Sequence, residues 1–232
     1  MKSGKQTRSG FHGRAHTHDF LTNMKISKYI HSCLLIEDQG KTILVDPGKY
    51  TYREHALNLK EIDKLDFLLI THKHGDHMSI PFIKEIIHTF PTVTLISNKN
   101  VKETLREENI AVATEGNAYI KLETLKHESS FDKGTPENTI FTLFERFIHP
   151  GDNIEYKNLA EIMALPVDCG MWGKVTVAVE RLANLQPKYI LPIHDYRLKD
   201  DIRKDVYKRI GTYFKDFNSI FLPIESGETI SL

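Results

Sequence analysis

The segment Thr71-His72-Lys73-His74-Gly75-Asp76-His77 puts four side chains able to bind a metal within six residues, directly after the apolar run Phe67-Leu68-Leu69-Ile70. Side chains of an extended chain alternate with a period of two, so His72 and His74 point the same way and can grip one ion together. Gly75 then permits a sharp turn, after which Asp76 and His77 can face a second position before a helix starts near Ser79. Three imidazoles and a carboxylate packed at the end of a buried strand would repel protons and one another unless a cation compensated them. The bland alternative, a polar loop of surface histidines, suits isolated histidines, and these are not isolated.

Positioning such a loop takes strands before it and a helix behind it. Short runs rich in Val, Ile and Thr, bounded by turn residues, predict strands at Ile26 to His31, Leu34 to Glu37 and Thr42 to Asp46, with Asp38-Gln39-Gly40 turning between the last two. Phe67 to Thr71 and Thr92 to Ser97 read as buried strands separated by a helix-length segment, a β-α-β spacing. That segment starts at Ser79 with Pro81 in its first turn and spaces Ile83, Ile86, Ile87 and Phe90 on one face. Asn100 is the expected cap of a second helix carrying Val101 and Leu105.

Further strands are predicted at Tyr119 to Leu125, Thr139 to Phe144, Glu161 to Val167, Tyr189 to Ile193, Ile220 to Ile224 and Glu228 to Leu232. Helices are predicted over Lys174 to Leu185 and over Asp201 to Phe217, the latter aligning Ile202, Val206, Ile210 and Phe214. Hairpin-like early and middle strands mixed with crossover helices favour an α/β sandwich of mixed sheets with outer helices over a purely parallel sheet. No internal repeat or linker interrupts residues 24–232, which read as one domain. Residues 1–23 read as a flexible N-terminal extension or an expression artefact. Their His12, His16 and His18 suggest weak, nonspecific metal binding at most.

The run His72-Lys73-His74-Gly75-Asp76-His77 matches the His-x-His-x-Asp-His signature of the metallo-β-lactamase superfamily, and other stretches agree with it. Tyr29-Ile30-His31-Ser32-Cys33-Leu34-Leu35-Ile36 and Ile43-Leu44-Val45-Asp46-Pro47-Gly48 resemble the opening hairpin and Asp-bearing loop of its small stand-alone hydrolases. His149-Pro150-Gly151-Asp152 resembles their Gly-Asp motif, and Leu191-Pro192-Ile193-His194-Asp195 their C-terminal histidine motif. The resemblance runs from about Met24 to about Asp200.

It implies a four-layer αββα sandwich, two mixed β-sheets flanked by helices, with two metal ions. By that resemblance His72 and His74, with a third histidine, hold the first ion; Asp76, His77 and His194 hold the second; Asp152 bridges them. His127 and His149 both lie in the right region for the third histidine. His127 is preferred because it follows the strand-like run Tyr119 to Leu125 and precedes the Gly-Asp motif, as the family order requires. His149 would then support the site or face substrate. Asp46 and Asp195 are candidates to hydrogen-bond ligand imidazoles from behind, or equally to cap turns. The loop Asp168-Cys169-Gly170-Met171-Trp172 is expected to flank the site, with Asp168, Met171 and Trp172 either touching substrate or, for Trp172, simply packing. Cys169 as a ligand is the weaker alternative, and His31 has no assigned role.

Two cations about 3.5 to 4 Å apart can share a water, bring its pKa toward neutrality and present hydroxide to a carbonyl or phosphoryl centre. Asp76 is the candidate to orient that water or accept its proton. The implied activity is a dinuclear metal-dependent hydrolase acting on an ester, lactone, amide or phosphodiester bond in a small substrate. A lactonase-like reading is preferred by analogy to sugar-phosphate lactonases. Two divalent ions are expected, zinc first, with manganese or iron as alternatives, because His and carboxylate ligands do not choose among them. Competing readings are an iron-dependent redox enzyme on the same fold, a nuclease-type phosphodiesterase, and a metal-binding scaffold without catalysis.

The 232-residue chain has 31 Lys plus Arg against 31 Asp plus Glu, so no long-range field draws it to nucleic acid or an anionic membrane. Hydrophobic residues at 40% and charged residues at 27% suit a soluble globular protein. Cys33 and Cys169 cannot form a disulfide framework, and no apolar stretch approaches a membrane span, so a cytoplasmic location is expected. The expected partner is a small-molecule substrate, with homo-oligomerisation left open.

Overall fold

The structure, a computed structural model, describes residues 23–127, 136–170 and 173–232. The N-terminal segment discussed above therefore lies, up to residue 22, outside the described residues. The first half of the chain builds one sheet and the second half another. Strands β1 (Lys25–Lys28), β2 (Leu34–Asp38), β3 (Lys41–Val45), β4 (Phe67–Leu69) and β5 (Thr94–Ile96) lie in that spatial order, with β12 (Thr229–Ser231) returning to the outer edge of β1. The second sheet runs β11 (Ile220–Phe221), β10 (Tyr189–Ile193), β9 (Ile162–Pro166), β8 (Phe147–His149), β7 (Glu137–Leu143) and β6 (Ile120–Lys126).

Each sheet is antiparallel at its start and parallel beyond, the parallel strands joined by helices except β8 and β9, which a loop joins. The β2–β3 hairpin turns on Gln39 and Gly40, both at positive φ (48° and 69°), the backbone that a two-residue turn matched to strand twist requires. Among the described residues the helices are α1 (Lys49–Arg53), α2 (Ile80–Thr89), α3 (Lys99–Arg106), α4 (Val175–Leu185) and α5 (Asp200–Tyr213). None is long and apolar enough to cross a membrane.

Alternation along the strands makes the layers. In β2, Leu34 and Ile36 face the opposite sheet while Leu35 faces outward; in β10, Leu191 and Ile193 face inward and Ile190 outward. The inner residues of both sheets form one core around Phe141 and Phe147. Outward residues of the first sheet pack under Phe82, Ile83 and Ile86 of α2 and Val101 and Leu105 of α3; those of the second pack under Ala178 and Leu182 of α4 and Tyr207 and Ile210 of α5. The result is an α/β sandwich of four layers.

Several details differ from the sequence reading. Asn98, not Asn100, caps α3, its Oδ1 accepting from the Val101 N–H at 3.0 Å; Asn100 instead accepts the Glu137 N–H at 2.8 Å and ties the helix to β7. Ile202 is 49% exposed, and α5 buries Tyr207 with Ile210 in its place. The short α1 and β8 were not legible: three to five residues are too few to show a period.

Phe141 is fully buried between the sheets. Phe141→Ala should lower the unfolding free energy by about 3–5 kcal/mol, measured by denaturant melts; a loss under about 1 kcal/mol would show that this layer is not the main core.

Candidate metal centre

The loop after β4 is built on Asp46, a buried residue at φ 49° just beyond β3. Its Oδ1 accepts the Thr71 N–H at 2.7 Å, and its Oδ2 accepts the Thr71 hydroxyl and His77 Nδ1–H, each at 2.7 Å. With its proton given to Asp46, Thr71 Oγ1 accepts from His72 Nδ1 at 3.0 Å. His194 Nδ1–H donates to the Asp168 carbonyl at 2.5 Å. Three imidazoles are thus fixed through Nδ1, which aims Nε2 into the cleft in the tautomer that ligates metal.

The turn through Gly75 needs no left-handed residue: His77 and Met78 N–H both donate to the His74 carbonyl, at 3.0 and 2.8 Å, and Gly75 is not at positive φ. The glycine that this loop demands is Gly48, where a Cβ would lie 1.7 Å from the Asp76 carbonyl oxygen. Gly151 is the counterpart on the second sheet, at φ 59° with a Cβ position 2.2 Å from Asn138 Oδ1. Asn138 clamps that turn, accepting the Asp152 N–H at 3.0 Å and donating to the Pro150 carbonyl at 2.8 Å.

Two sets of donor atoms result, each within 4.8 Å of one another: His72, His74, His127 and Asp152, and His31, Asp76, His77 and His194. Asp152 lies between the two sets. Its Oδ2 is 3.2 Å from His127 Nε2 and 3.7 Å from His72 Nε2, whereas its Oδ1 is 3.0 Å from His77 Nε2 and 3.3 Å from His194 Nε2. These side chains come from the ends of β4, β6, β8 and β10 and from the loop before β2, where open α/β sheets place ligands.

The electrostatics require a cation. Burial and the neighbouring imidazoles of His77 and His127 hold His72 well below the usual histidine range, and burial with His127 lowers His74. Burial also opposes charge on Asp152 and Asp76, yet the surrounding imidazoles outweigh it and keep both carboxyls far below normal. His77 is the exception: burial is overcome by Asp152 in front and Asp46 behind, and its pKa is raised well above normal. No well-aligned hydrogen bond reaches His72 Nε2, His77 Nε2 or Asp152 Oδ1, all buried. Imidazole nitrogens and carboxylate oxygens so placed fit divalent zinc, manganese or iron.

The remaining sequence candidates fall elsewhere. His149 is fully buried and bound at both nitrogens, accepting the Gly151 N–H at 3.2 Å and donating to the Ser32 carbonyl at 3.1 Å, so it joins two loops. Asp195 hydrogen-bonds no imidazole. Its Oδ2 accepts from Lys28 Nζ at 2.5 Å and from the Tyr207 hydroxyl, because the fully buried Lys28, with its pKa lowered by burial, needs a counter-charge. Lys28 was missed in the sequence, where a lysine in a strand reads as a solvated edge. The Asp168 side chain pairs with Arg197 at 3.1 Å, and its carbonyl accepts from His194. Met171 and Trp172 lie outside the described residues. Cys169 is buried, its thiol donating to the Pro166 carbonyl at 3.7 Å, and Cys33 is a buried thiol elsewhere. His31, unassigned from sequence, joins the second set.

A family model described as a β-lactamase superfamily domain matches residues 25–194. The chain belongs to the metallo-β-lactamase superfamily. A UPF0173 metal-dependent hydrolase of Thermus thermophilus is 28% identical over 192 residues, 75% of this chain and 84% of that one. Another from Bacillus cereus is 26% identical over 235 residues, 90% of this chain and all of that one. Among solved structures, the metallo hydrolase Igni18 of Ignicoccus hospitalis superposes with a TM-score of 0.68 at 22% identity, covering 91% and 99% of the two chains. With these relatives and its His/Asp clusters, this superfamily member is an enzyme of the metal-dependent hydrolase class.

Gly48→Ala should be destabilising by about 1–3 kcal/mol, since the added methyl meets backbone. Gly75→Ala, whose nearest contact is the flexible Lys49 side chain at 3.4 Å, should cost well under that. Parallel thermal melts check the pair; equal losses would contradict the close approach at Gly48.

Proposed function

We propose that this superfamily member is a dinuclear metal-dependent hydrolase that cleaves an ester, lactone, amide or phosphodiester bond in a small soluble substrate. One observation carries the reading: the two oxygens of Asp152 divide between two histidine sets, Oδ2 toward His127 and His72, Oδ1 toward His77 and His194. In this reading His72, His74 and His127 hold one ion, Asp76, His77 and His194 hold the other, and Asp152 holds both. Zinc is the first candidate for both positions. A divalent pair supplies water activated near neutral pH and polarisation of the scissile group.

The protein's own groups do the rest. Asp46, Thr71 and the Asp168 carbonyl keep the ring protons of His77, His72 and His194 on Nδ1, so that Nε2 faces the reacting region. Asp76, half-sunk beside the second set, would orient the attacking water or accept its proton. A lactone substrate is favoured by analogy of the opening and closing motifs alone, and screening on lactones, thioesters, phosphodiesters and β-lactams separates the bond classes. Elemental analysis of the protein as purified separates this reading from iron-based redox chemistry on the same donors. Two cysteines, too few for a disulfide framework, fit a reducing compartment such as the cytoplasm.

Asp152→Ala should lower bound metal and abolish turnover; full activity in that variant would refute the shared-carboxylate reading. His127→Ala should reduce the ion count below two per chain. His149→Ala should keep two ions but lower stability by about 1–3 kcal/mol through its two lost backbone partners. Metal analysis and melts on both variants check this, and the reverse pattern would exchange the roles of the two histidines.

A further inference from the structure

His31 sits at the tip of the turn between β1 and β2, with a left-handed backbone at φ 67° that a histidine adopts only at a cost of about 1 kcal/mol or more. His194, from the far end of the chain, is left-handed as well, at φ 59°. The two are tied together: the His194 N–H donates to the His31 carbonyl at 3.0 Å, and their rings lie 3.9 Å apart. The next residue is clamped too, since the Ser32 carbonyl accepts from His149. A strained turn held from both sides fixes the His31 ring against the second set of donors.

The ring is 1% exposed, and neither nitrogen makes a hydrogen bond. A buried polar group left this way costs about 1–3 kcal/mol. Its Nε2 lies 3.5 Å from Asp76 Oδ2, long for a hydrogen bond. Two ligands bonded at 2.0–2.1 Å to one ion stand roughly 2.9–3.4 Å apart, close to that separation. His31, Asp76, His77 and His194 offer donor atoms within one 4.8 Å cluster.

We infer that His31 is a ligand of the second metal ion, giving that position five protein ligands: His31, Asp76, His77, His194 and the shared Asp152. The first position has four: His72, His74, His127 and Asp152. The inference rests on the dinuclear reading above and adds an asymmetry to it. Five protein ligands would leave one position of an octahedral set for the shared water, which suits manganese or iron(II) as well as zinc, whereas four protein ligands and that water would make the first position five-coordinate, which zinc accepts.

The test is equilibrium metal binding to the metal-stripped full-length protein, with Co(II) absorption as the coordination probe, in the wild type, His31→Gly and His31→Asn. Glycine takes the left-handed backbone without strain and asparagine tolerates it; metal-free melting temperatures establish that each variant folds. The wild type should take two ions per chain. Each variant should keep one tight ion and bind the second about tenfold or more weakly. Its Co(II) absorption should rise as the coordination number falls, and added imidazole should return His31→Gly toward the wild-type spectrum. Two ions bound as tightly as in the wild type, with an unchanged Co(II) spectrum in the folded variants, would overturn the His31 assignment and leave the dinuclear reading standing. Fewer than two ions in the wild type would overturn both.

Discussion

A carboxylate taken out of water needs positive charge close by, and Asp152, 3% exposed at the centre of the cleft, has four imidazole nitrogens within 3.7 Å and, among the described residues, no lysine or arginine as an ion-pair partner. Imidazoles crowded this closely resist taking the protons that would make them cationic, as the lowered pKa values of His72 and His74 show. His77 alone is pushed the other way, by two carboxylates. Metal cations resolve the conflict for every member at once: they neutralise the carboxylates and bind the neutral imidazoles through lone pairs. The cluster's donor atoms thus suit a cation before any likeness to other proteins is considered.

The fold serves that cluster by bringing strand ends together and by using groups behind the cleft to set ring orientation. Asp46 is the pivot, because one carboxylate accepts from the Thr71 backbone, the Thr71 hydroxyl and His77 Nδ1, and through Thr71 reaches His72. On the opposite sheet Asn138 plays the matching part for Asp152. The buried Lys28–Asp195–Tyr207 group lies just behind His194 and fastens the end of β10 to β1 and α5. Burying that pair is costly, and the Tyr207 hydroxyl and the Ile224 carbonyl share in satisfying it.

Much of this was legible in the residues. The His72 to His77 spacing announced a metal loop unaided, and the strand and helix periods located nearly every long element. Other features depend on tertiary context. Asn98 and Asn100 are equally good caps on paper, and only the contact of Asn100 with β7 decides between them. Asp195 follows a site histidine in sequence, but the chain has left β10 at Ile193 and turns through a left-handed His194, and Asp195 meets the buried Lys28. The service of the Asp168 carbonyl to His194 is a backbone property invisible in side-chain identity. His31 lies 41 residues before the metal loop in an unremarkable turn, and its arrival in the cluster is set by the packing of the two sheets.

Anomalous X-ray diffraction from metal-loaded crystals addresses the shared carboxylate most directly. The account predicts two anomalous peaks per chain, about 3.5 to 4 Å apart, with Asp152 between them and one of its oxygens toward each. A single peak, or two peaks with Asp152 turned away from either, would contradict it.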